Sequence, residues 1–375
     1  MKDITRKDSA VLKGIAILIL LCHHNFRKAG LFRGYEVSFW PFTQNQIVSL
    51  SFFFKITVSI FIFISGYGLT VSYRSKNENY SIKKDIYTPW VIQRLFKLLS
   101  GYWFIFIMMS ILCQMINGRT WDIYFKEGFL YGIYQYVISF FGLARLFDMS
   151  NLVYTWWYMS AAVIIVFLVP ILNSIAKNRL GYFLTFCMLW IVPHFMGLEY
   201  QGDTHPFTYI LILFLGCACG EYKLFAKVKS LRWEKHPKLW GVLKGAMAIV
   251  LLFLCYKEYA VFLKAGKWEM ALNIIPFVVI YLCYEYICPI PYLNTVLEYI
   301  GSHSLNIFLI HTFIRGVYLA DFTYSWGHFM LINLVLLGLS LIASILVEKM
   351  KKLLNYDVFI NKISNGCIRL ICKGE

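Results

Sequence analysis

One apolar run near the N-terminus contains a lysine and a histidine that can share a helix face. Lys13 and His24 are eleven positions apart in the segment LKGIAILILLCHH. At about 100° per residue, the two positions return to within roughly 20° of each other, and they lie roughly 16 Å apart along the axis. A cation or imidazole inside an apolar span is costly, so both are candidates for function. The alternatives are a lysine that extends to the membrane surface and a hydrogen-bonded histidine of a helix bundle.

A second pair of candidates is cationic. Arg94 and Lys97 are three positions apart at the start of another apolar run, so both lie on one side of a helix. Together they can point toward a phosphate-bearing ligand at the inner edge of a membrane. The alternative is that they only anchor the helix at the membrane surface.

Two more apolar runs contain small or polar residues. Ser65 and Gly66 interrupt the aromatic segment FIFISGYGLT, where close helix packing explains the pair as well as a functional site does. In the segment LEYIGSHSLNIFLIH, His311 follows Ser304 by seven positions. That spacing is about two helical turns along one face.

These candidates lie within long apolar runs that recur along the 375 residues. The chain is 59% hydrophobic and only 15% charged, whereas soluble domains are about 25% charged. Apolar runs of about 20 residues indicate membrane-spanning helices. The sequence therefore predicts an all-α, polytopic integral membrane protein with about ten transmembrane helices. They are expected near residues 10–28, 47–73, 91–116, 152–175, 179–197, 206–222, 241–257, 270–288, 299–320 and 328–347.

Two segments fall outside this pattern. Residues 129–144 are apolar and aromatic but short for a span, and the sequence leaves open whether they enter the membrane. The residues from Glu348 onward have about the length of one amphipathic helix. We therefore divide the chain into a transmembrane domain, residues 1–350, and a cytoplasmic tail, residues 351–375.

The positive residues predict the orientation in the membrane. The net charge is +16, from 36 Lys and Arg against 20 Asp and Glu. With the N-terminus inside, 23 of the 36 cations fall in inner segments and 10 in outer segments. This bias follows the positive-inside rule, so both termini are predicted to be cytoplasmic. Because the cations lie in short loops, with no basic stripe on a soluble segment, nucleic acid is not expected as a partner.

Missing motifs exclude several other chemistries. The chain has no Walker-type phosphate loop, no HExxH and no GxSxG. Cys217 and Cys219 lack the accompanying ligand pair that zinc needs, so neither a metal nor a bound cofactor is expected. Glu285, near the inner end of the eighth span, is the one acidic residue expected within a span. A proton-coupled carrier usually needs a buried carboxylate, which weakens that interpretation.

Five motifs, in this order, resemble those of the membrane acyltransferase-3 family, whose members transfer acyl groups, often acetyl, from acyl-CoA to glycans or lipids. Lys13 to His24 is similar to the family's Arg/Lys-x10-His motif, FIFISGYGLT to its aromatic-rich Ser-Gly segment, and Arg94-x-x-Lys97 to its Arg-x-x-Arg. WYMSAAVIIVFLVP, which begins at Trp157, keeps the Trp-to-Pro spacing of the family. LEYIGSHSLNIFLIH is similar to the closing Gly-x-x-Ser…His motif.

The resemblance implies a role for each matched residue. His24 would be the general base for the acceptor hydroxyl, because an imidazole of pKa about 6.5 suits that work near neutral pH. Lys13 would stabilise the negative charge of the donor or of the developing oxyanion. Arg94 and Lys97 would bind the phosphates of CoA from the cytoplasmic side. Residues expected to line the site, at lower rank, are Ser65, Trp157, Ser304 and His311.

Three residues depart from the family pattern. Lys97 replaces the usual second Arg, and Ser100 stands where a Pro commonly follows. Ala162 occupies a position that is acidic in many relatives, so relatives that use that carboxylate are no guide to the acceptor here.

We therefore expect an enzyme of the plasma or inner membrane, an O-acyltransferase. It would move an acyl group, acetyl as first choice, from acyl-CoA to a hydroxyl of a cell-surface polysaccharide or lipid-linked glycan. Acyl-CoA, the glycan acceptor and membrane lipid would be its partners. The alternatives are a transporter or flippase of a lipid-linked glycan or acyl donor that does no chemistry, and a structural membrane protein. The sequence identifies neither the acceptor nor the acyl chain, and it leaves open whether the chain forms a homo-oligomer.

Overall fold

The computed structural model describes residues 3–32, 34–77, 82–195, 204–231 and 235–372, apart from the side chains of 193–195 and 372. The structure is 83% helical, and the described residues contain no strand. Their α-helices, numbered in chain order, are α1 (Arg6–Phe26), α2 (Gln44–Phe53), α3 (Thr57–Arg74), α4 (Lys84–Asn117), α5 (Arg119–Tyr124), α6 (Phe129–Phe140), α7 (Trp157–Ala176), α8 (Arg179–Phe195), α9 (Ile210–Tyr222), α10 (Leu224–Ser230), α11 (Pro237–Lys264), α12 (Ile275–Leu282), α13 (Leu293–Ser302), α14 (Ser304–Phe313), α15 (Ala320–Tyr324), α16 (Phe329–Leu353) and α17 (Tyr356–Cys372).

Within the described ranges, seven helical stretches are long and apolar enough to cross a membrane. They are Arg6–Phe26, Gln44–Arg74, Lys84–Asn117, Tyr154–Ala176, Pro237–Lys264, Met270–Ile287 and Phe329–Leu353. Each coincides with one of the expected spans, so the prediction of a helical, polytopic membrane protein is confirmed. The count of about ten spans and the cytoplasmic location of the termini stay predictions.

The other three expected spans correspond to shorter or interrupted helices. The described part of α8 has 17 residues, slightly fewer than the roughly 20 that a span needs. Beyond α9 the chain bends by 67° into α10, at Lys223, whose φ is 54°. The run near residues 299–320 is divided at His303 into α13 and α14, of 10 residues each. Apolar composition alone does not reveal these breaks.

Glycines let α1 and α13 pack with their backbones almost in contact. A Cβ on Gly14 would collide with the backbone of Leu297, and a Cβ on Gly301 would collide with the backbone of Ala10. Such close approach is typical of helix pairs in membranes, where small residues allow the packing that holds helices together. The pair fixes α1, which contains Lys13 and His24, against the helix that leads into α14.

A second pair of glycines has the same effect between α3 and α9. Gly66 lies against the backbone of Leu213, and Gly216 lies against that of Phe63. Gly66 therefore has the close-packing role that the sequence allowed for the Ser-Gly pair. Together the two glycine-mediated contacts hold α1, α3, α9 and α13 close to one another.

Helix α6, within the uncertain segment 129–144, presents its apolar side chains outward. Its 12 residues have a length of roughly 18 Å, too short for a hydrocarbon core of about 30 Å. Gly132, Gln135 and Ser139 are buried, whereas large side chains such as Leu130 are exposed. This arrangement, with polar groups inside and apolar groups outside, suits contact with lipid.

The C-terminal helix α17 packs against α4. The Tyr356 hydroxyl donates to the Ser100 carbonyl at 2.9 Å, and the rings of Tyr356 and Phe104 lie 5.1 Å apart. By contrast, Cys255 and Tyr259 are the only buried residues of α11. Its Lys244 forms an ion pair with Glu285, so the one carboxylate expected within a span is matched by a cation.

Candidate active site

A cavity of about 280 Å³ lies beside the last turn of α1. Side chains from α1, α3, α7 and α14 enclose it, together with the segments that precede α3 and α7. Its lining is polar on one side and aromatic on the other. The lining residues are Leu20, His23, His24, Arg27, Lys55, Thr57, Val58, Phe61, Tyr154, Thr155, Trp157, Tyr158, Thr204 and Phe308.

His24 is one of the two described histidines that line this cavity. It is buried, and its ring centroid lies 5.0 Å from that of His311. Its Nδ1 lies 3.4 Å from the Tyr154 hydroxyl. Among the described residues, no hydrogen-bond partner lies near its Nε2. One ring nitrogen is therefore oriented by the protein, and the other is left for a ligand.

Arg315 holds the tyrosine that contacts His24. One terminal guanidinium nitrogen of Arg315 donates to the Tyr154 hydroxyl at 2.9 Å, and the Arg315 side chain is buried. This arginine lies in a π-helical turn, Ile314–Tyr318, directly after α14. Turns of this kind are rare and recur at functional sites.

Neither Tyr154 nor Arg315 was predicted from the sequence, and Arg315 was assigned to an outer segment although it lies near the end of the expected span 299–320. The spacing could have indicated Arg315, because it follows His311 by four positions, about one helical turn, and so lies on the same face.

His311 lies beside His24, but both of its ring nitrogens have protein partners. Its Nδ1 is 2.8 Å from the Phe308 carbonyl, and its Nε2 is 3.2 Å from the Thr312 hydroxyl. The Thr312 hydroxyl in turn lies 3.1 Å from that of Thr155 on the facing segment. These contacts hold the His311 ring in place beside His24. Because both of its ring nitrogens have partners, His311 has none available to accept a proton from a substrate.

The cavity also contains groups without a predicted role. The Nδ1 of His23 lies 2.7 Å from the Ser51 carbonyl, so this imidazole is tied to α2. Arg27 and the buried Lys55 add two cations to the lining. The sequence signal for Lys55 was its position inside an apolar run, where a cation is costly.

Lys13 does not line this cavity. It lies on α1 roughly 16 Å from His24 along the helix axis, and near enough to Lys97 for their charges to interact. Lys97 is exposed and Lys13 is half-buried. The structure thus brings together two of the predicted cations at one end of α1, and the histidines at the other.

Arg94 is fixed in place on α4. Its guanidinium donates to the Ser72 hydroxyl on α3 and lies 5.6 Å from the centroid of the Trp90 ring. Contact with an aromatic face orients the planar guanidinium. The other N–H groups of Arg94 are available to a ligand. Lys97 lies on the same helix, about one turn further along.

The lower-ranked residues divide into two groups. Trp157 lines the cavity and stacks on Tyr209 at 6.2 Å between ring centroids, so it lies with His24 and His311. Ser65 donates to the Phe61 carbonyl of its own helix at 2.8 Å. Ser304 is buried at the start of α14, roughly 10 Å from His311 along the axis, and so lies away from the cavity.

In the part of the chain that the structure describes, no three His, Cys, Asp or Glu side chains come together as a metal site would require. The cavity therefore offers an imidazole, a phenol and several cations. These groups can accept a proton from a hydroxyl and stabilise negative charge near it.

Comparisons with known proteins identify one family. No curated protein and no solved structure shows a significant similarity to the chain. The family model described as an acyltransferase domain, that of the acyltransferase-3 family, matches residues 8–349, nearly the whole chain. That range contains His24, Tyr154, His311 and Arg315. The chain belongs to the acyltransferase-3 family of membrane proteins.

Proposed function

We propose that this membrane protein is an O-acyltransferase that moves an acyl group, acetyl as first choice, from acyl-CoA to a hydroxyl of a cell-surface polysaccharide or lipid-linked glycan. The observation that supports this proposal best is His24, a buried imidazole that lines a cavity, with Nδ1 beside Tyr154 and no described partner at Nε2. The family supplies the reaction class. The O-acyl linkage, the CoA donor and the glycan acceptor are the proposed part.

The contacts of Tyr154 allow the tautomer of His24 that a general base requires. Arg315 donates to one lone pair of the Tyr154 oxygen, and the second lone pair can accept the Nδ1–H of His24 when the phenol proton is directed elsewhere. In this proposed tautomer the Nε2 atom is unprotonated. Orientation of a base by a third group through its other nitrogen is the usual arrangement in nucleophilic catalysis.

The proposed reaction is a direct transfer with His24 as the proton carrier. Nε2 takes the proton as the acceptor oxygen attacks the thioester carbonyl carbon. A carbon–oxygen bond forms, and the carbonyl oxygen gains negative charge that cations such as Lys55 can stabilise. The carbon–sulfur bond then breaks, and the CoA thiolate leaves with the proton from His24. The products are the O-acyl ester and CoA.

The donor would enter from the other end of α1. Arg94 and Lys97 would bind its phosphates, which suits a guanidinium for paired contacts and an ammonium as a point charge. Lys13, between this pair and His24, would lie beside the part of acyl-CoA that links the phosphates to the thioester. In this arrangement the cationic end of α1 faces the cytoplasm and the His24 end faces outward, in the plasma or inner membrane.

The test compares variants of the full chain in liposomes, with labelled acetyl-CoA and a mixture of glycans as acceptors. We expect His24→Gln to lower kcat by about 10²- to 10⁴-fold, the usual contribution of a general base. Arg94→Ala is expected to raise KM for acetyl-CoA with a smaller change in kcat. His205→Gln, a histidine outside the cavity, is the matched control.

Full activity of His24→Gln, at equal insertion into the liposomes, would overturn the general-base assignment. A wild type that moves glycan or acyl donor across the membrane but transfers no acyl group would favour the carrier alternative. Mass spectrometry of surface glycans with and without the protein identifies the acceptor, through an acyl-sized mass difference.

A further inference from the structure

A second cavity, of about 410 Å³, adjoins the one that contains His24. Tyr154 lines both cavities. Beside it, Thr155 lines the first cavity and Thr312 the second, and their hydroxyls lie 3.1 Å apart. The side chains of Tyr154, Thr155 and Thr312 therefore lie between the two cavities. Of these three, Tyr154 is the one that contacts His24.

Two arginines line the second cavity, and neither forms an ion pair with a described carboxylate. Arg315 is only 6% exposed and donates to Tyr154 through one terminal nitrogen. Arg119 donates to the Leu152 carbonyl at 3.2 Å. The Nε of each arginine is buried without a hydrogen-bond partner. Buried cations and donors are costly when unpaired, so these two groups suit an anionic ligand.

The rest of the lining suits a sugar. Tyr35 and Tyr324 stack at 4.8 Å between ring centroids, with an angle of 17° between the ring planes, and both line the cavity. The nearby carboxylate of Asp321 is occupied by the Tyr35 hydroxyl, which donates to it at 2.5 Å. Among the described lining residues there is no Asp or Glu, so the charge of the cavity is positive.

We propose that the second cavity binds the acceptor through an anionic group, a carboxylate or a phosphate, which Arg119 and Arg315 hold. A guanidinium binds either group through paired hydrogen bonds. The hydroxyl to be acylated then reaches His24 past Tyr154. This inference rests on the proposed acyl transfer and names its acceptor class as an anionic glycan.

The test measures kcat/KM for acetyl transfer to three matched acceptors: neutral methyl glucoside, methyl glucuronoside and glucose 1-phosphate. The second contains a carboxylate in the sugar, and the third a phosphate at its reducing end, so the two sources of negative charge are compared directly. We expect the wild type to prefer one charged acceptor over methyl glucoside. In Arg119→Gln this preference is expected to fall about 10- to 100-fold, as for loss of a charge-assisted contact.

Lys267→Gln, which removes an exposed cation away from the cavity, is the matched control for general electrostatic attraction. It is expected to keep the preference of the wild type, whereas Arg119→Lys is expected to restore part of it. An equal loss for charged and neutral acceptors in Arg119→Gln, or no preference in the wild type, would overturn the inference.

A binding measurement separates this inference from the proposed function. Methyl glucuronoside and inorganic pyrophosphate are added at constant ionic strength, and thermal unfolding of wild type and Arg119→Gln is followed. Stabilisation of the wild type alone supports the anion site even if acetyl transfer fails. Equal behaviour of the two proteins overturns the site, even if transfer to neutral sugars succeeds.

Discussion

The close packing of α1 on α13 gives a prediction whose size follows from the structure. A Cβ at position 301 would lie 2.9 Å from the amide nitrogen of Gly14 and closer still to the carbonyl of Ala10, whereas real Cβ atoms essentially never come within 3.0 Å. Both neighbours are backbone atoms, so no side chain can rotate away. To bring the contact with the Ala10 carbonyl oxygen from 1.9 Å to that limit of 3.0 Å, α1 and α13 must separate by about 1.1 Å.

This movement is expected to lower both stability and activity in Gly301→Ala. Overpacking of a tight contact costs about 1–3 kcal/mol, which corresponds to a fall in Tm of about 1–4 °C for a chain of this size. Because α1 contains His24 and α13 leads into the helix of His311, the two imidazoles shift relative to each other. Displacements of this order lower catalysis by roughly 10- to 100-fold.

The assay is thermal unfolding of the full chain in one detergent at one scan rate, followed by acetyl transfer at 25 °C. Gly338→Ala is the matched control, because a Cβ at this position of α16 has no neighbour within 4 Å. An added methyl group in an open helical position stabilises by about 0.5–1 kcal/mol. If Gly301→Ala unfolds at the same temperature as Gly338→Ala, the two backbones are not in contact and the reasoning is refuted.

Three further predictions concern other parts of the chain. Burial raises the pKa of the Asp3 carboxyl above its ordinary 3.8, so the folded chain binds that proton more tightly than the unfolded chain. The stability of the wild type relative to Asp3→Asn is therefore expected to fall as pH rises above about 4, and a flat difference in Tm would contradict this. Asn273→Leu removes the acceptor of the Ile212 amide (2.9 Å) and the donor to the Thr208 carbonyl (3.1 Å), so it is expected to lose about 1–3 kcal/mol, measured by thermal unfolding. Reporter enzymes fused after Glu78 and Asp203, which lie outside the described residues, are expected to be cytoplasmic and external respectively; any other result means that a span was miscounted.

The apolar runs were sufficient to locate the long helices, because a bilayer imposes length and composition together. They could not reveal the break at His303 or the bend after Tyr222. In both places a few polar residues interrupt the apolar run, at His303 and at Lys223, but a hydropathy pattern records only composition and does not give the direction of the backbone. The same limit applies to Gly301, whose role depends on the backbone of Ala10 and Gly14, 291 and 287 residues earlier in the chain.

The candidate site was predictable in part. Helical spacing placed Lys13 and His24 on one face of α1, and the closing motif supplied His311, which lies 5.0 Å from His24 between ring centroids. Spacing did not indicate which of these imidazoles keeps an open nitrogen, because that depends on partners from α14 and from the segment that precedes α7. Arg315 was missed for a related reason: a cation at the end of an apolar run is ordinarily a surface residue, and only the π-helical turn brings it inward.

The glycine contacts also affect how genetic data on this protein should be interpreted. Gly14, Gly301, Gly66 and Gly216 all lie against backbone atoms of a neighbouring helix. Almost any replacement there therefore adds a side chain for which the packed helices leave no room. In a saturation library selected for modified glycans, alleles at these four positions are expected to be as depleted as alleles at His24. Measuring the amount of protein in the membrane as well as the enrichment of each allele distinguishes the two causes of depletion. Replacement of His24 is expected to leave the amount of inserted protein unchanged, whereas replacement of one of these glycines is expected to lower it.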